Sequence, residues 1–301
     1  MTNEKIDYKF VYDGENFTIR LNDQELVGCQ WIPQGEAKFA LIFFHGLGAF
    51  LAINRPYFPK ISQAGGVIFG TDHAGHGRSP GARGDNTVED LLEELKLLIA
   101  RAKVLFPDIP LFIYGHSMGG LATISYVLQN PVSAANLDGI IIEAPWLNDN
   151  QANSESIPIS FIGKCGRFFF PHLAIDTGDG FDNTSYPREF IDKYIKSRLP
   201  HDFITPRLYA STAESRKKSH ETIDNWPSGL RILFLQGAKD QSVGVTKNLN
   251  WIESLREKRP NLVQIVYHKD AEHAMLRNEC GPIVINEILD FISTCITLNS
   301  E

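Results

Sequence analysis

The stretch that decides the fold is LFIYGHSMGGLATISYVLQN, residues 111–130. Residues 111–114 form a short apolar run that is typical of a buried strand, and apolar residues at helical spacing follow Gly119. Ser117 is therefore predicted to occupy a sharp turn between a strand and a helix, the arrangement of the G-x-S-x-G nucleophile elbow. The alternative is a glycine-rich turn that only packs the helix onto a sheet.

Candidate catalytic partners of Ser117 lie further along the chain. A serine hydroxyl is a weak nucleophile and needs a neighbouring base. In the elbow fold an acid and then a histidine follow the serine, each at the carboxyl end of a strand. Asp240 follows a predicted strand at 231–235, and His273 follows another at 263–267. We therefore predict Ser117, Asp240 and His273 as nucleophile, acid and base.

Other polar residues near these strands have alternative interpretations. Glu143 ends a predicted strand at 139–143 and stays open as the alternative acid. His116 is interpreted as structural, because local geometry points it away from the serine. The backbone N–H groups of Leu47, in the glycine-rich loop after the strand at 38–44, and of Met118 are predicted to form the oxyanion hole.

The composition excludes several classes of protein. The chain has 301 residues and a formal net charge of −7 without a long basic run, which argues against a nucleic-acid partner. Its four cysteines are widely spaced and form no C-x-x-C motif, so we expect free thiols in a reducing, cytoplasmic compartment. We expect no signal peptide and no membrane span, because no run reaches the ~18 apolar residues that a span needs.

The alternation of predicted strands and helices indicates an α/β fold with a mainly parallel central sheet and helices on both faces. We predict that residues 1–145 and 227–301 form this core. Residues 146–226 show helical stretches broken by glycine and proline and no obvious strand, so we predict a helical cap or lid inserted over the carboxyl ends of the strands. Whether its aromatic residues contact a membrane or only bury their own core stays open.

A second glycine-rich loop, DHAGHGRS at residues 72–79, places two histidines beside an aspartate. A metal site is disfavoured, because the glycines prevent a helical ligand face and no glutamate or cysteine completes a ligand set. We expect this loop to support the floor of the active site through hydrogen bonds. The sequence predicts neither a metal nor a cofactor.

These motifs together resemble the monoacylglycerol lipase and lysophospholipase branch of the α/β-hydrolases. The matching segments are FFHGLG at 43–48, TDHAGHGRSPGARG at 71–84, YGHSMGG at 114–120, LQGAKDQSV at 235–243 and AEHAMLRNE at 271–279. The resemblance implies an α/β-hydrolase fold with a helical lid insertion and the same triad and oxyanion assignments. After Gly48 the sequence AFLAINRPY departs from the family's usual SGRY-like run, which bears on acyl-chain preference.

The resemblance also implies a function. We expect a cofactor-free serine hydrolase that cleaves carboxylic esters of a single fatty acyl chain, with monoacylglycerol as the first candidate substrate. The alternatives are a lysophospholipase or general carboxylesterase, an aminopeptidase or acyltransferase on the same scaffold, and a non-catalytic ligand-binding protein. Peripheral attachment to membranes or lipid droplets through the lid stays open, and no oligomeric state is predicted. The implied substrate-binding residues are Gly46, Phe50, Trp146, Phe161 and Phe169.

Overall fold

The computed structural model describes residues 12–148, 166–176 and 199–299. An eight-stranded sheet with the order β1-β2-β4-β3-β5-β6-β9-β10 forms the centre of the molecule. Its strands are β1 (Glu15–Leu21), β2 (Gln24–Trp31), β3 (Phe39–Phe44), β4 (Gly66–Thr71), β5 (Leu111–His116), β6 (Gly139–Glu143), β9 (Ile232–Gly237) and β10 (Val263–His268). A short pair, β7 (Ile175–Asp176) and β8 (Phe203–Ile204), is separate from this sheet.

Most of the central sheet is parallel. All neighbouring pairs from β4 to β10 run parallel, while β1 and β2 form an antiparallel hairpin at one edge and β2 pairs antiparallel with β4. The hairpin turn contains Asn22 at φ 53°, a left-handed conformation that asparagine tolerates. The prediction of a mainly parallel sheet is confirmed. It brings the carboxyl ends of β3, β5, β6, β9 and β10 to the same edge.

Helices cover both faces of the sheet, as predicted. Within the described residues these helices are α1 (Phe58–Gln63), α2 (Val88–Leu105), α3 (Met118–Gln129), α4 (Pro131–Ala134), α5 (Pro206–Glu221), α6 (Val245–Lys258) and α7 (Gly281–Asn299), and 3-10 turns span Leu51–Tyr57, Ile223–Asn225 and Met275–Arg277. One buried apolar cluster joins the sheet to α2, α3, α5 and α6, and a second joins its other face to α1 and α7.

The start of α2 shows how the sequence sets a helix boundary. Thr87 accepts a hydrogen bond from the backbone N–H of Asp90, whose carboxylate accepts one from the Thr87 N–H in return. This capping box satisfies two N–H groups that lack partners within the helix. Glu94 interrupts the buried apolar stripe of α2, since it is 1% exposed.

Helix α7 is the one helix in the described part of the chain that is long and apolar enough, by length and composition, to cross a membrane. In the structure its buried residues recur at helical spacing, from Val284 to Cys295, and pack in the second apolar cluster against the sheet. The apolar composition of α7 is thus accounted for by this packing.

The predicted cap at 146–226 is described only in part, and its domain boundaries stay a prediction. Residues 149–165 and 177–198 lie outside the described residues, and Phe161 is among them. Within the described part, α5 packs with the core helices, and β7 pairs antiparallel with β8. The sequence pattern did not indicate this pair, because two-residue strands carry no periodicity.

Candidate active site

Ser117 lies between β5 and α3 with φ 53° and ψ −115°, a backbone conformation that is strained for a residue with a side chain. Two hydrogen bonds hold this turn. The Ser117 N–H donates to the Glu143 carbonyl at 3.0 Å, and the Trp146 N–H donates to the Ser117 carbonyl at 3.0 Å. The segment that follows β6 therefore fixes the serine from both sides.

The elbow also depends on close packing at Gly119. A Cβ atom at this position would lie 2.3 Å from the Phe44 carbonyl oxygen and 2.4 Å from that of His45. Real Cβ atoms do not approach a backbone oxygen so closely, so only glycine lets α3 pack against the end of β3. The same contact brings the loop after β3 beside the serine turn.

Asp240 and His273 follow the adjacent parallel strands β9 and β10. Backbone hydrogen bonds join their loops, from the Ala238 N–H to the His268 carbonyl and from the Lys239 N–H to the Ala271 carbonyl, both at 2.9 Å. The His273 Nδ1 and the Asp240 Oδ2 are 2.8 Å apart. The structure thus brings together the acid and the base that the sequence singled out.

The carboxylate of Asp240 has three further donors. The backbone N–H groups of Ser242 and Val243 donate to Oδ1 at 2.8 and 3.2 Å, and the Gln236 amide donates to Oδ2 at 3.1 Å. Gln236 is itself held by the Asn248 amide at 3.2 Å. Because a carboxylate directed at an imidazole Nδ1 fixes the imidazole tautomer, this support leaves His273 Nε2 as the basic nitrogen.

His116 links the serine turn to the histidine loop. It precedes Ser117 directly, its ring centroid is 4.8 Å from that of His273, and its Nε2 is 3.3 Å from the His273 carbonyl oxygen. Burial and then the nearby His273 hold the pKa of His116 well below its usual value, so it is a neutral hydrogen-bond donor to that carbonyl. His116 is therefore structural in a specific sense, because its hydrogen bond holds the loop that carries His273.

The loop after β3 approaches the nucleophile from the other side. A Cβ atom at Gly46 would lie 3.0 Å from Ser117 Cβ and 3.0 Å from His116 Nδ1, so the Gly46 backbone lies against the elbow. Within the described residues, the N–H groups of neither Leu47 nor Met118 donate to a protein acceptor. N–H groups without such an acceptor are suited to an oxyanion, and the role of these two stays a prediction.

Glu143, the alternative acid, is directed elsewhere. It is 1% exposed, its carboxyl group accepts a very short hydrogen bond from the Tyr114 hydroxyl, and the Leu276 N–H lies 3.4 Å from Oε1. Burial raises the pKa of Glu143. The carboxyl group of Glu143 thus bonds to a phenol and a backbone amide, whereas Asp240 contacts the imidazole.

The predicted substrate-binding residues differ in exposure. Phe50 is fully buried in the second apolar cluster, while Phe169 is 74% exposed. Trp146 is half-buried beside the elbow, and the Arg216 guanidinium lies 5.2 Å from its ring centroid. Phe161 lies outside the described residues, and the binding roles of all five predicted residues, Gly46 included, stay predictions.

The DHAGHGRS loop is held by Asp72, whose buried carboxylate accepts hydrogen bonds from the Tyr12 hydroxyl and from the N–H groups of Leu51 and Arg78. Within residues 12–148, 166–176 and 199–299, no group of three or more His, Cys, Asp or Glu side chains is arranged to hold a metal ion. The sequence did not reveal that Asp72 also fixes the loop after β3 through Leu51.

A family model confirms the relationship that these features suggest. The model described as serine aminopeptidase, S33, matches residues 35–280, a span that contains the elbow and both partner loops. The chain belongs to the S33 family. The resemblance that the sequence motifs indicated is thereby confirmed at the level of the family.

Several relatives of this S33 protein are lipases by name. Monoglyceride lipase of Rattus norvegicus is 25% identical over 157 residues, covering 51% of this chain and 50% of the rat protein. Phospholipase YtpA of Bacillus subtilis is 27% identical over 195 residues, covering 63% of this chain and 70% of that protein. The chain spans about half the length of the monoglyceride lipases that it matches.

Solved structures support the α/β-hydrolase fold of this S33 protein. A monoacylglycerol lipase of Paleococcus ferrophilus superposes with a TM-score of 0.77 at 23% identity, covering 90% of this chain and 99% of that chain. A monoglyceride lipase of Saccharomyces cerevisiae, bound to a substrate analogue, gives 0.79 at 18% identity, covering 94% and 96%. The predicted fold class is confirmed.

Proposed function

We propose that this chain is a serine hydrolase that cleaves carboxylic esters of a single fatty acyl chain, with monoacylglycerol as substrate. The observation that carries the proposal is the 2.8 Å contact between His273 Nδ1 and Asp240, in a loop that His116 ties to the Ser117 elbow. The names of the lipase relatives supply the substrate class.

The proposed reaction proceeds through an acyl-enzyme. The Ser117 hydroxyl oxygen bonds to the ester carbonyl carbon while its proton moves to His273 Nε2, and Asp240 stabilises the imidazolium that results. The N–H groups of Leu47 and Met118 stabilise the negative oxygen of the tetrahedral intermediate. The ester C–O bond then breaks, and the departing alcohol takes the proton from His273. Water repeats the sequence on the acyl-serine and releases the fatty acid.

The family description makes an aminopeptidase the second candidate. Binding a peptide's free amino terminus needs a carboxylate that faces the substrate. Glu143 bonds to Tyr114 and Leu276, inside the core, which disfavours Glu143 in that role, while acidic residues of the lid stay open as alternatives. The phospholipase relative favours a lysophospholipid as the stronger alternative substrate.

Turnover of a matched substrate panel tests the proposal. The panel contains monoacylglycerols of several chain lengths, a diacylglycerol, a lysophospholipid, short p-nitrophenyl esters and an aminoacyl amide, each with wild type and Ser117→Ala. We expect fast monoacylglycerol cleavage that the variant loses. Cleavage of the amide without ester turnover would establish the aminopeptidase. Cleavage of the lysophospholipid alone would replace monoacylglycerol with lysophospholipid as the substrate.

Membrane contact through the cap is part of the same proposal. In the described segment 166–176, Phe168, Phe169 and Phe170 are 70%, 74% and 65% exposed, and such side chains insert at a lipid interface. We expect the wild type to co-float with phosphatidylcholine vesicles and Phe169→Ser to bind less. The matched control is Val132→Ser on α4, where an apolar side chain is 84% exposed. Equal binding by both variants would contradict a specific role of the cap.

A further inference from the structure

A chain of hydrogen bonds runs beneath the loop that carries Leu47. The Glu94 carboxylate on α2 lies 2.8 Å from His73 Nδ1, and Glu94 also accepts a hydrogen bond from the Thr71 hydroxyl. His73 Nε2 lies 3.0 Å from the His45 carbonyl oxygen. Glu94, His73 and His45 are each at most 1% exposed, so bulk water does not reach them. We call these three residues the histidine chain.

The partners determine where the hydrogens lie on His45. The His73 backbone N–H donates to His45 Nε2 at 3.2 Å, so that nitrogen carries a lone pair and no proton. Burial, and then the neighbouring His73, hold the pKa of His45 well below its usual value, so its ring is neutral. The remaining proton must lie on Nδ1, which is 2.9 Å from the Gly46 carbonyl oxygen. His45 Nδ1–H therefore donates to that carbonyl.

The Gly46 carbonyl and the Leu47 N–H belong to one peptide unit. Because a trans peptide is planar, fixing the direction of the carbonyl fixes the direction of the N–H. A hydrogen bond accepted by the carbonyl also polarises the unit and makes its N–H a stronger donor. His45 thus acts on the Leu47 N–H without touching the reacting atoms.

We propose that the histidine chain is a positioning device, in which Glu94 and His73 lock His45 as its Nδ1–H tautomer and His45 aims and polarises the Leu47 N–H as an oxyanion donor. His73 acts through its backbone N–H, which donates to His45 Nε2, and through its ring, whose centroid is 3.7 Å from that of His45. Glu94 acts by holding the His73 ring at Nδ1. The proposal rests on the proposed hydrolase function, because it assigns these residues to the stabilisation of that reaction's oxyanion.

Nitrogen-15 NMR of histidine-labelled wild type tests the tautomer without any variant or substrate. We expect His45 to show a protonated Nδ1 and an unprotonated Nε2 at pH 7, and His73 to show a protonated Nε2. The opposite tautomer of His45, which a free histidine prefers, would overturn the proposal. This result does not depend on catalysis, so it separates a failure of the positioning device from a failure of the proposed function.

Kinetics test the consequence for the oxyanion. Loss of an oxyanion donor lowers kcat by about 10²–10³-fold, so misdirecting one in His45→Phe should lower kcat by about 10–100-fold with KM nearly unchanged. Glu94→Gln should give a smaller loss. The matched control is His76→Phe. The His76 ring is 5.5 Å from that of His45, and its Nδ1 contacts the Ala74 carbonyl oxygen and not the Gly46 carbonyl.

The control separates positioning from packing. We expect His76→Phe to keep the wild-type kcat, and labelling of Ser117 by a fluorophosphonate to slow in His45→Phe but not in His76→Phe. Equal losses in the two phenylalanine variants, or a raised KM with unchanged kcat in His45→Phe, would show that the ring only fills space. If the wild type turns over no ester, the labelling rates still compare the two variants.

Discussion

Asp240 and Glu143 occupy comparable places, because each follows or ends one of two adjacent parallel strands, β9 and β6. Both are buried carboxyl groups. Asp240 accepts two backbone N–H bonds and an amide bond and contacts an imidazole, whereas Glu143 meets a phenol and one distant N–H. Position at the end of a strand therefore does not make an acid catalytic.

The two carboxyl groups differ in the groups that surround them. The donors around Asp240 stabilise a negative charge, which a histidine that gains a proton requires. Burial instead raises the pKa of Glu143 and favours its neutral form. One carboxyl group is arranged to hold a charge and the other to close a buried network.

Asp240→Asn gives the largest expected effect on this comparison. The amide no longer stabilises the imidazolium or enforces the useful tautomer of His273, so kcat/KM should fall by about 10⁴-fold. Glu143→Gln should stay within about tenfold of wild type, because the Glu143 carboxyl group bonds to Tyr114 and Leu276 and not to the imidazole. Steady-state kinetics on the best ester of the panel measure both. A small loss in Asp240→Asn with a large one in Glu143→Gln would exchange their roles.

Glu143→Ala should mainly affect stability. It leaves the Tyr114 hydroxyl and the Leu276 N–H without their acceptor inside the core, which should lower the free energy of unfolding by about 3 kcal/mol. Urea denaturation measures this change, with Glu257→Ala at an exposed position of α6 as the control. A loss no greater than the control's would mean that the network around Glu143 contributes nothing.

Gln236→Met tests the support of Asp240. The substitution keeps the volume but removes the amide that donates to Oδ2, and loss of a hydrogen bond to a charged group should lower kcat/KM by about tenfold. Gln264→Met, exposed on β10, provides the matched control. Wild-type kinetics in Gln236→Met would show that the two backbone N–H groups suffice to hold Asp240.

The smallest expected effect concerns the pH dependence of stability. Because burial raises the pKa of Glu143 above 4.5, its ordinary value, the folded state holds this proton over a pH range in which the unfolded state has lost it. Stability from this group therefore falls as pH rises through that range. Urea denaturation of wild type and Glu143→Gln should show a difference that shifts in favour of the variant from pH 5 to pH 8. A constant difference would contradict the raised pKa.

The sequence predicts the parts of this molecule that depend on local pattern. The run around Ser117 specifies strand, turn and helix within a few residues, and the order of Asp240 and His273 after two apolar runs predicts which loops meet. Thr87 marks the start of α2 through a local capping motif. In each case the informative residues are neighbours in sequence.

What the sequence analysis missed depends on contacts across the fold. His116 reaches a carbonyl 157 residues away, and Gln236 supports Asp240 only because Asn248 on α6 holds it in turn. Glu94 did carry a signal, since a charged residue within an apolar helical stripe indicates a buried partner. The partner is His73, which follows β4. Sequence spacing does not identify it, because the contact depends on where β4 lies in the sheet.

The close packing at Gly119 has a consequence for mutational tolerance. No side chain fits between α3 and the end of β3, so a saturation scan should find every substitution at this position intolerable. At Gly35 and Gly229 a Cβ atom would meet no atom within 4 Å, and most substitutions should be neutral. We therefore expect glycine at position 119 in homologues and in engineered variants. Gly35 and Gly229 should tolerate other residues.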